Sequence, residues 1–207
     1  SSTRQSPRYA QPGITGEELW VWFRLKLIAD AGLIGLPNAG KSTLLSVVSA
    51  ARPKIASYPF TTLYPGLGVA EIDNHEFIIA DIPGLIKGAH LGSGLGTRFL
   101  GHIERCKVLL HLVDCCDEDP VDSWKTIQNE IKEYGADLNE KKCITVLTKS
   151  DALLDELNIE IEQKLKKAGA KEVYRISSIS NQGISNLLRK VSEIIINIDK
   201  SNSDLED

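Results

Sequence analysis

The run Gly-Leu-Pro-Asn-Ala-Gly-Lys-Ser at residues 35–42 constrains this chain more than any other feature. It fits the pattern G-x-x-x-x-G-K-[ST], with Gly35, Gly40, Lys41 and Ser42 at the fixed positions. Glycines let backbone N–H groups turn inward around a phosphate, a conformation that side chains resist. Lys41 then reaches the β- and γ-phosphate oxygens, and the Ser42 hydroxyl holds Mg²⁺. Leu36, Pro37, Asn38 and Ala39 supply the rest of the cradle. The flanks agree. The apolar run Ala31–Leu36 reads as a buried strand and Ser42–Ala51 as a helix, so a bound phosphate sits at a helix N-terminus, where unpaired N–H groups favour anions. A turn that binds nothing has no need of Lys and Ser after its second glycine.

Three later segments bear on which nucleotide. Asp81-Ile82-Pro83-Gly84 follows the apolar strand Phe77–Ala80. An Asp at that strand end can hold Mg²⁺ through water, and the Gly84 N–H can meet a γ-phosphate. Thr148-Lys149-Ser150-Asp151 follows the strand Cys143–Leu147. The Asp151 carboxylate can accept two hydrogen bonds from the guanine edge, where adenine presents the wrong groups. The Lys149 stem can cover the base face. Ser177-Ser178-Ile179 follows Val173–Ile176, and a backbone N–H there can meet the guanine carbonyl oxygen. Each segment alone is a common turn. In this order, each after its own strand, they form a set.

The rest of the chain alternates strands and helices. Strands are expected at 31–36, 66–72, 77–81, 107–113, 143–148 and 172–176. Helices are expected at 42–51, near 97–105, and at 120–134, 155–168 and 184–197. The pattern predicts an α/β fold: a P-loop NTPase three-layer sandwich, with a mostly parallel six-stranded sheet and helices on both faces. Ligands then lie at the carboxyl ends of the strands, where every motif falls. Residues 1–16 read as an extended lead, Glu18–Leu27 as a strand left from a preceding domain, and 52–65 as a loop. The acidic, Ser-rich stretch Asn197–Asp207 reads as a disordered tail.

The motifs GLPNAGKSTLLS, YPFTTLYPGLG at 58–68, and ADIPGLIKGAHLGSGLGTRFLGHIERC at 80–106, with the TKSD and SSI segments, resemble the GTPase domain of the Obg family. The resemblance covers roughly residues 20–200, and the stretch after DIPG is its most diagnostic part. It implies a GTPase domain at 29–200, a remnant of the glycine-rich N-terminal domain and a linker at 1–28, and a tail at 201–207. The loop at 58–65 would carry the switch. Thr61 and Thr62 are both candidates for a second Mg²⁺ ligand, and the family pattern places that ligand at Thr62, with Phe60 and Leu63 beside the nucleotide. Related GTPases with Pro-Asn in the phosphate loop use the Asn to hold K⁺, which makes Asn38 a candidate K⁺ ligand and the catalytic set Lys41, Thr62, Gly84 and Asn38. A loop-stabilising role for Asn38 is the plain alternative.

Two positions depart from common patterns. Thr148 stands where the family usually has Asn, keeping a hydroxyl but with less reach. Leu85 follows Gly84 where a Ras-like protein has a water-orienting Gln, which implies slow intrinsic hydrolysis.

Composition sets bounds. The 207 residues suffice for one α/β core, and a net charge of −4 gives no electrostatic case for non-specific nucleic-acid binding. Lys164, Lys166, Lys167 and Lys171 alternate with Glu160 and Glu162, as on a solvated helix face. No apolar run is long enough to span a bilayer and no signal peptide is visible, so a cytoplasmic, monomeric protein is expected. The absence of Met even at position 1 points to an excised fragment. Cys106, Cys115, Cys116 and Cys143 lack zinc-site spacing and read as reduced thiols. His90 can approach a γ-phosphate, while His102 and His111 read as packing residues.

The sequence reading is therefore a Mg²⁺-dependent GTPase switch that binds GTP and GDP. By resemblance it acts on the large ribosomal subunit or its precursor and in stress response. The rival is a guanine-nucleotide-dependent binding module, or guanosine tetraphosphate sensor, with negligible turnover. An ATPase with a similar loop is disfavoured by Asp151.

Overall fold

The computed structural model describes residues 13, 15–21, 29–49, 54–55, 66–82, 103, 105–134 and 141–203. Strand β1, Ala29–Ile34, is apolar and buried on both sides apart from the half-buried Asp30, as suits a central strand of a parallel sheet. It leads through the phosphate loop into α1, Lys41–Val48. Strands β3, Gly66–Ile72, and β4, His75–Asp81, form an antiparallel hairpin. Its turn, Asp73-Asn74, has φ of 50° and 63°, the left-handed pair that short polar residues tolerate and that matches strand twist.

Strand β5, Cys106–Asp114, α2, Pro120–Tyr134, and β6, Lys142–Thr148, come next. A 3₁₀ turn, Ser150–Ala152, leads to α3, Asp155–Ala168. Strand β7, Val173–Arg175, and α4, Ile184–Ser203, complete the described elements. The sheet order is β2-β3-β4-β1-β5-β6-β7, where β2 is the two-residue strand Lys54–Ile55. Pairings from β4 through β1, β5 and β6 to β7 are parallel. The six expected strands are thus joined by a short antiparallel edge strand, set within the 52–65 stretch that reads as loop.

Two apolar layers flank the sheet. Leu33, Leu110 and Val146 meet Leu44 of α1 and Leu187 and Val191 of α4 on one face. Ile34, Leu109 and Ile127 of α2 share the other, where Leu147 also packs with Trp124 of α2 and Leu165 of α3. This is the three-layer sandwich that alternating strands and helices predict. No described helix is long and apolar enough to cross a membrane. The lysine-rich face of α3 is laced with an exposed Lys164–Glu160 pair and a half-buried Lys166–Glu162 pair, as its charge alternation predicts.

One expectation changes. Helix α4 runs to Ser203, six residues past its expected end at 197. Its apolar period continues to Ile198, which packs on the core, and Asp199 is held by Lys107 at 2.6 Å. Composition made these residues look like tail, but packing and a charge pair extend the helix; residues 204–207 lie outside the described ones. Residues 15–21 carry no strand, and Leu19, Trp20 and Val21 are exposed. Residues 22–27, the rest of the strand expected at Glu18–Leu27, lie outside the described residues.

Candidate functional site

The phosphate loop closes on itself. Gly35 has φ 149°, and a Cβ there would sit 2.5 Å from the Leu112 carbonyl oxygen, so only glycine fits between β1 and β5. Leu36 to Ala39 form a turn closed by the Ala39 N–H on the Leu36 carbonyl at 3.3 Å, with exposed Pro37 and Asn38 between them. Asn38 has φ 64°, a left-handed backbone that Asn adopts more readily than most residues. The loop-shaping role of Asn38 is therefore visible in the backbone. Gly40 caps α1 with φ 90°.

Lys41 folds back over this loop. Its ammonium donates to the carbonyls of Gly35 at 3.0 Å and Leu36 at 2.9 Å. Burial lowers its pKa, and the charge of nearby Asp81 opposes that shift. The ammonium thus sits in the loop mouth with a further N–H to offer a phosphate.

Ser42 and Asp81 come together from positions 39 residues apart. The Ser42 hydroxyl donates to Asp81 Oδ2 at 2.5 Å. Parallel pairing of β1 with β4 sets Leu33 beside Asp81, so the strand end carries the carboxylate to the first turn of α1. These are the two described residues expected to face Mg²⁺. Their donor set, a hydroxyl and a carboxylate oxygen on one side of the loop, is the hard-oxygen chemistry Mg²⁺ takes. Ile82 is buried, its N–H on the Leu33 carbonyl at 3.3 Å. Pro83, Gly84, Leu85 and His90, the switch stretch with Phe60, Thr61, Thr62 and Leu63, and His102 lie outside the described residues.

The segments expected to read a base also meet. Thr148 is buried at the end of β6, and its hydroxyl donates toward the carbonyls of Ala39 at 2.9 Å and Val113 at 3.1 Å. Lys149 takes a left-handed turn, φ 57°, into the 3₁₀ segment that presents exposed Asp151. The Ser150 N–H donates to the Ile176 carbonyl at 3.1 Å, joining this loop to Ser177, Ser178 and Ile179. Ser177 is buried; its N–H donates to the Gln182 carbonyl and its hydroxyl accepts from the Ser180 N–H, both at 3.0 Å. Ile179 is exposed.

Three residues that sequence reasoning passed over support this loop. Asp114, at the end of β5, holds the Lys149 ammonium at 2.5 Å, and that hydrogen bond raises the Lys149 pKa. The Cys115 thiol donates to the Lys149 carbonyl at 3.0 Å. Asn158, buried on α3, donates its amide to the Ser150 carbonyl at 2.8 Å and the Leu153 carbonyl at 3.2 Å. Asp114 had a signal: like Asp81, it ends an apolar strand on the ligand side of the sheet. Asn158 had none, because a polar residue in a helix does not announce a tertiary partner.

Outside the site, burial pushes the Cys106 thiol up to about 12 and that of Cys143 up to about 11. His111 is buried within β5, with Gln128 3.1 Å from its Nδ1 and the Trp124 ring stacked beside it.

Residues 30–149 match the family described as 50S ribosome-binding GTPase. Residues 112–193 also match a family described as ethanolamine utilisation – propanediol utilisation. A variant of Aquifex aeolicus Era bound to GDP·AlF₄⁻ superposes with a TM-score of 0.62 at 24% identity, over 82% of this chain and 57% of that one. Era in complex with MgGDPNP and a segment of 16S ribosomal RNA gives 0.62 at 24% identity, over 83% of this chain and 57% of that one. The G domain of the T. maritima FeoB iron transporter gives 0.59 at 20% identity, over 79% and 96%. At these identities the likeness is one of fold, and the chain spans 57% of the length of the Era chains it matches. The first family match spans well over half of the chain: the chain belongs to the 50S ribosome-binding GTPases, a P-loop family of GTP hydrolases.

Proposed function

We propose that this GTPase is a guanine-specific switch that binds GTP and GDP with Mg²⁺, hydrolyses GTP slowly, and works on the large ribosomal subunit or its precursor. The observation that carries the reading is the convergence of the phosphate loop and the TKSD loop through Thr148. One strand end donates to the phosphate loop and leads into the turn that carries exposed Asp151.

In this reading Lys41 leaves the loop carbonyls for the β- and γ-phosphate oxygens. Asp151 takes the ring N–H and exocyclic amine of guanine, with the Lys149 stem against the base. Ser42, Asp81 and, in the GTP state, Thr62 would hold Mg²⁺, which would supply positive charge beside the phosphates. Thr62 and Gly84 sense the γ-phosphate, and their release after hydrolysis resets the switch. Asn38 is the candidate ligand for an assisting K⁺. The absence of a Gln after Gly84 favours slow turnover on its own and acceleration by the ribosomal partner. The Obg-like sequence stretches support the ribosomal role and a link to stress response, in a monomeric cytoplasmic protein.

Steady-state GTP turnover, measured alone and with purified large ribosomal subunits, tests this. Slow release of phosphate that rises with subunits supports the reading. Tight guanine-nucleotide binding without turnover in either condition would instead make the chain a nucleotide-dependent binding module.

A further inference from the structure

Asp114, Cys115 and Cys116 close the end of β5 beside the base-reading loop. Each offers one ligand atom, and the three atoms lie within 4.8 Å of one another. The two sulfurs are 3.7 Å apart. In a tetrahedral zinc site with Zn–S bonds of ~2.3 Å the sulfur–sulfur edge is roughly 3.8 Å, so both thiols can meet one cation without a change in their spacing. Cys116 is exposed and gives access; Cys115 is buried behind it. The Asp114 carboxylate supplies a third ligand. Two sulfurs and one oxygen select a soft, thiophilic cation over Mg²⁺, which separates this cluster from the Ser42–Asp81 pair.

We propose that Asp114, Cys115 and Cys116 form a binding site for a thiophilic divalent cation such as Zn²⁺, and that its occupation opposes guanine-nucleotide binding. The coupling follows from what these atoms do in its absence. The Cys115 thiol donates to the Lys149 carbonyl at 3.0 Å, and Asp114 holds the Lys149 ammonium at 2.5 Å. A cation that takes both thiols releases their two protons to solvent, which removes the hydrogen bond to the Lys149 carbonyl. Its bond to Asp114 competes with the ammonium. Both ties that fix Lys149 against β5 are thereby loosened, and Lys149 precedes Asp151 in the turn. Nucleotide and cation must then weaken each other by the same factor. The coupling, though not the site, rests on the guanine assignment made above.

The test is a Cd²⁺ titration of the whole chain, read by the ultraviolet cadmium–thiolate absorption, with Zn²⁺ as competitor. Wild type is expected to bind one Cd²⁺ with thiolate absorption. Cys116→Ser, a surface change, should lose it, Cys115→Ser should lose it while keeping a hydroxyl donor toward Lys149, and Cys143→Ser should bind like wild type. No thiolate absorption in wild type, or the same absorption in the Cys115→Ser/Cys116→Ser double variant, overturns the site. GDP affinity measured with and without Zn²⁺ should differ roughly 5-fold or more in wild type and not at all in Cys116→Ser. Equal affinities in wild type overturn the coupling. A wild type that binds no guanine nucleotide counts against the guanine assignment, and the cadmium titration still decides the site.

Discussion

The Thr148 hydroxyl lies 2.9 Å from the Ala39 carbonyl and 3.1 Å from that of Val113, joining residues 109 apart in sequence. The hydroxyl that Thr148 keeps in place of the family's usual Asn thus ties this strand end to the phosphate loop. Removing it leaves buried acceptors without this donor, at a cost of about 1–3 kcal/mol. Thr148→Val should lower the unfolding free energy by that amount and weaken GDP and GTP alike, whereas Thr148→Ser should stay near wild type. Chemical denaturation and nucleotide titration of both variants check this. A Thr148→Val protein as stable and as tight as wild type would show the tie to be incidental.

Ser42 and Asp81 share one hydrogen bond at the metal side of the loop. Ser42→Ala and Asp81→Asn should each reduce the gain in GTP affinity that Mg²⁺ confers by about tenfold, or ~1.4 kcal/mol, and leave metal-free binding largely intact. Thr62→Ala should weaken binding of a non-hydrolysable GTP analogue and spare GDP. Titrations with and without Mg²⁺ read all three, and equal losses for both nucleotides in Thr62→Ala would remove it as a switch ligand.

Lys149 tests stem against charge. Its side chain is 41% exposed, and an ion pair that open contributes less than about 1 kcal/mol. Lys149→Met keeps an apolar stem and should bind GDP within a few-fold of wild type. Lys149→Ala loses the stem and should bind distinctly more weakly. Identical affinities for the two variants would show that the stem does not cover the base.

His111 sets an acid limit on stability. Burial depresses its pKa from 6.5 to about 3, so the folded chain keeps the ring neutral where the unfolded chain protonates it. The contribution is complete above pH 6.5 and is lost as pH falls toward 3. Between pH 7 and 5 this one group accounts for about 2 kcal/mol. Urea unfolding of His111→Leu should show a pH dependence flatter by that amount, whatever its absolute stability; an unchanged slope would place the acid sensitivity elsewhere.

Most of the fold was legible because its central strands β1, β5 and β6 are largely buried on both faces and read as mostly apolar runs. Strand β3 and helix α3 fall where the alternating pattern puts them. The misreadings have specific causes. At the end of α4, Ser and Asp composition hid an apolar period that Ile198 completes and a charge that Lys107 holds. Strand β2 is two residues long, too short for any period to show. In the site, the residues proposed to touch ligand carry motif signatures, while their supports do not. Asn158, Cys115 and the second bond of Thr148 act through partners fixed only by tertiary packing, which local sequence does not encode.

Affinity for GTP, GDP and ATP, measured on wild type and on Asp151→Ala, tests the central claim most directly. Wild type should bind both guanine nucleotides and reject ATP. Loss of the Asp151 carboxylate should cost on the order of 2–5 kcal/mol in guanine binding, bringing GTP down toward ATP while contacts to the phosphates persist. An Asp151→Ala protein that still prefers GTP to ATP, or a wild type that binds ATP as tightly as GTP, would contradict the account.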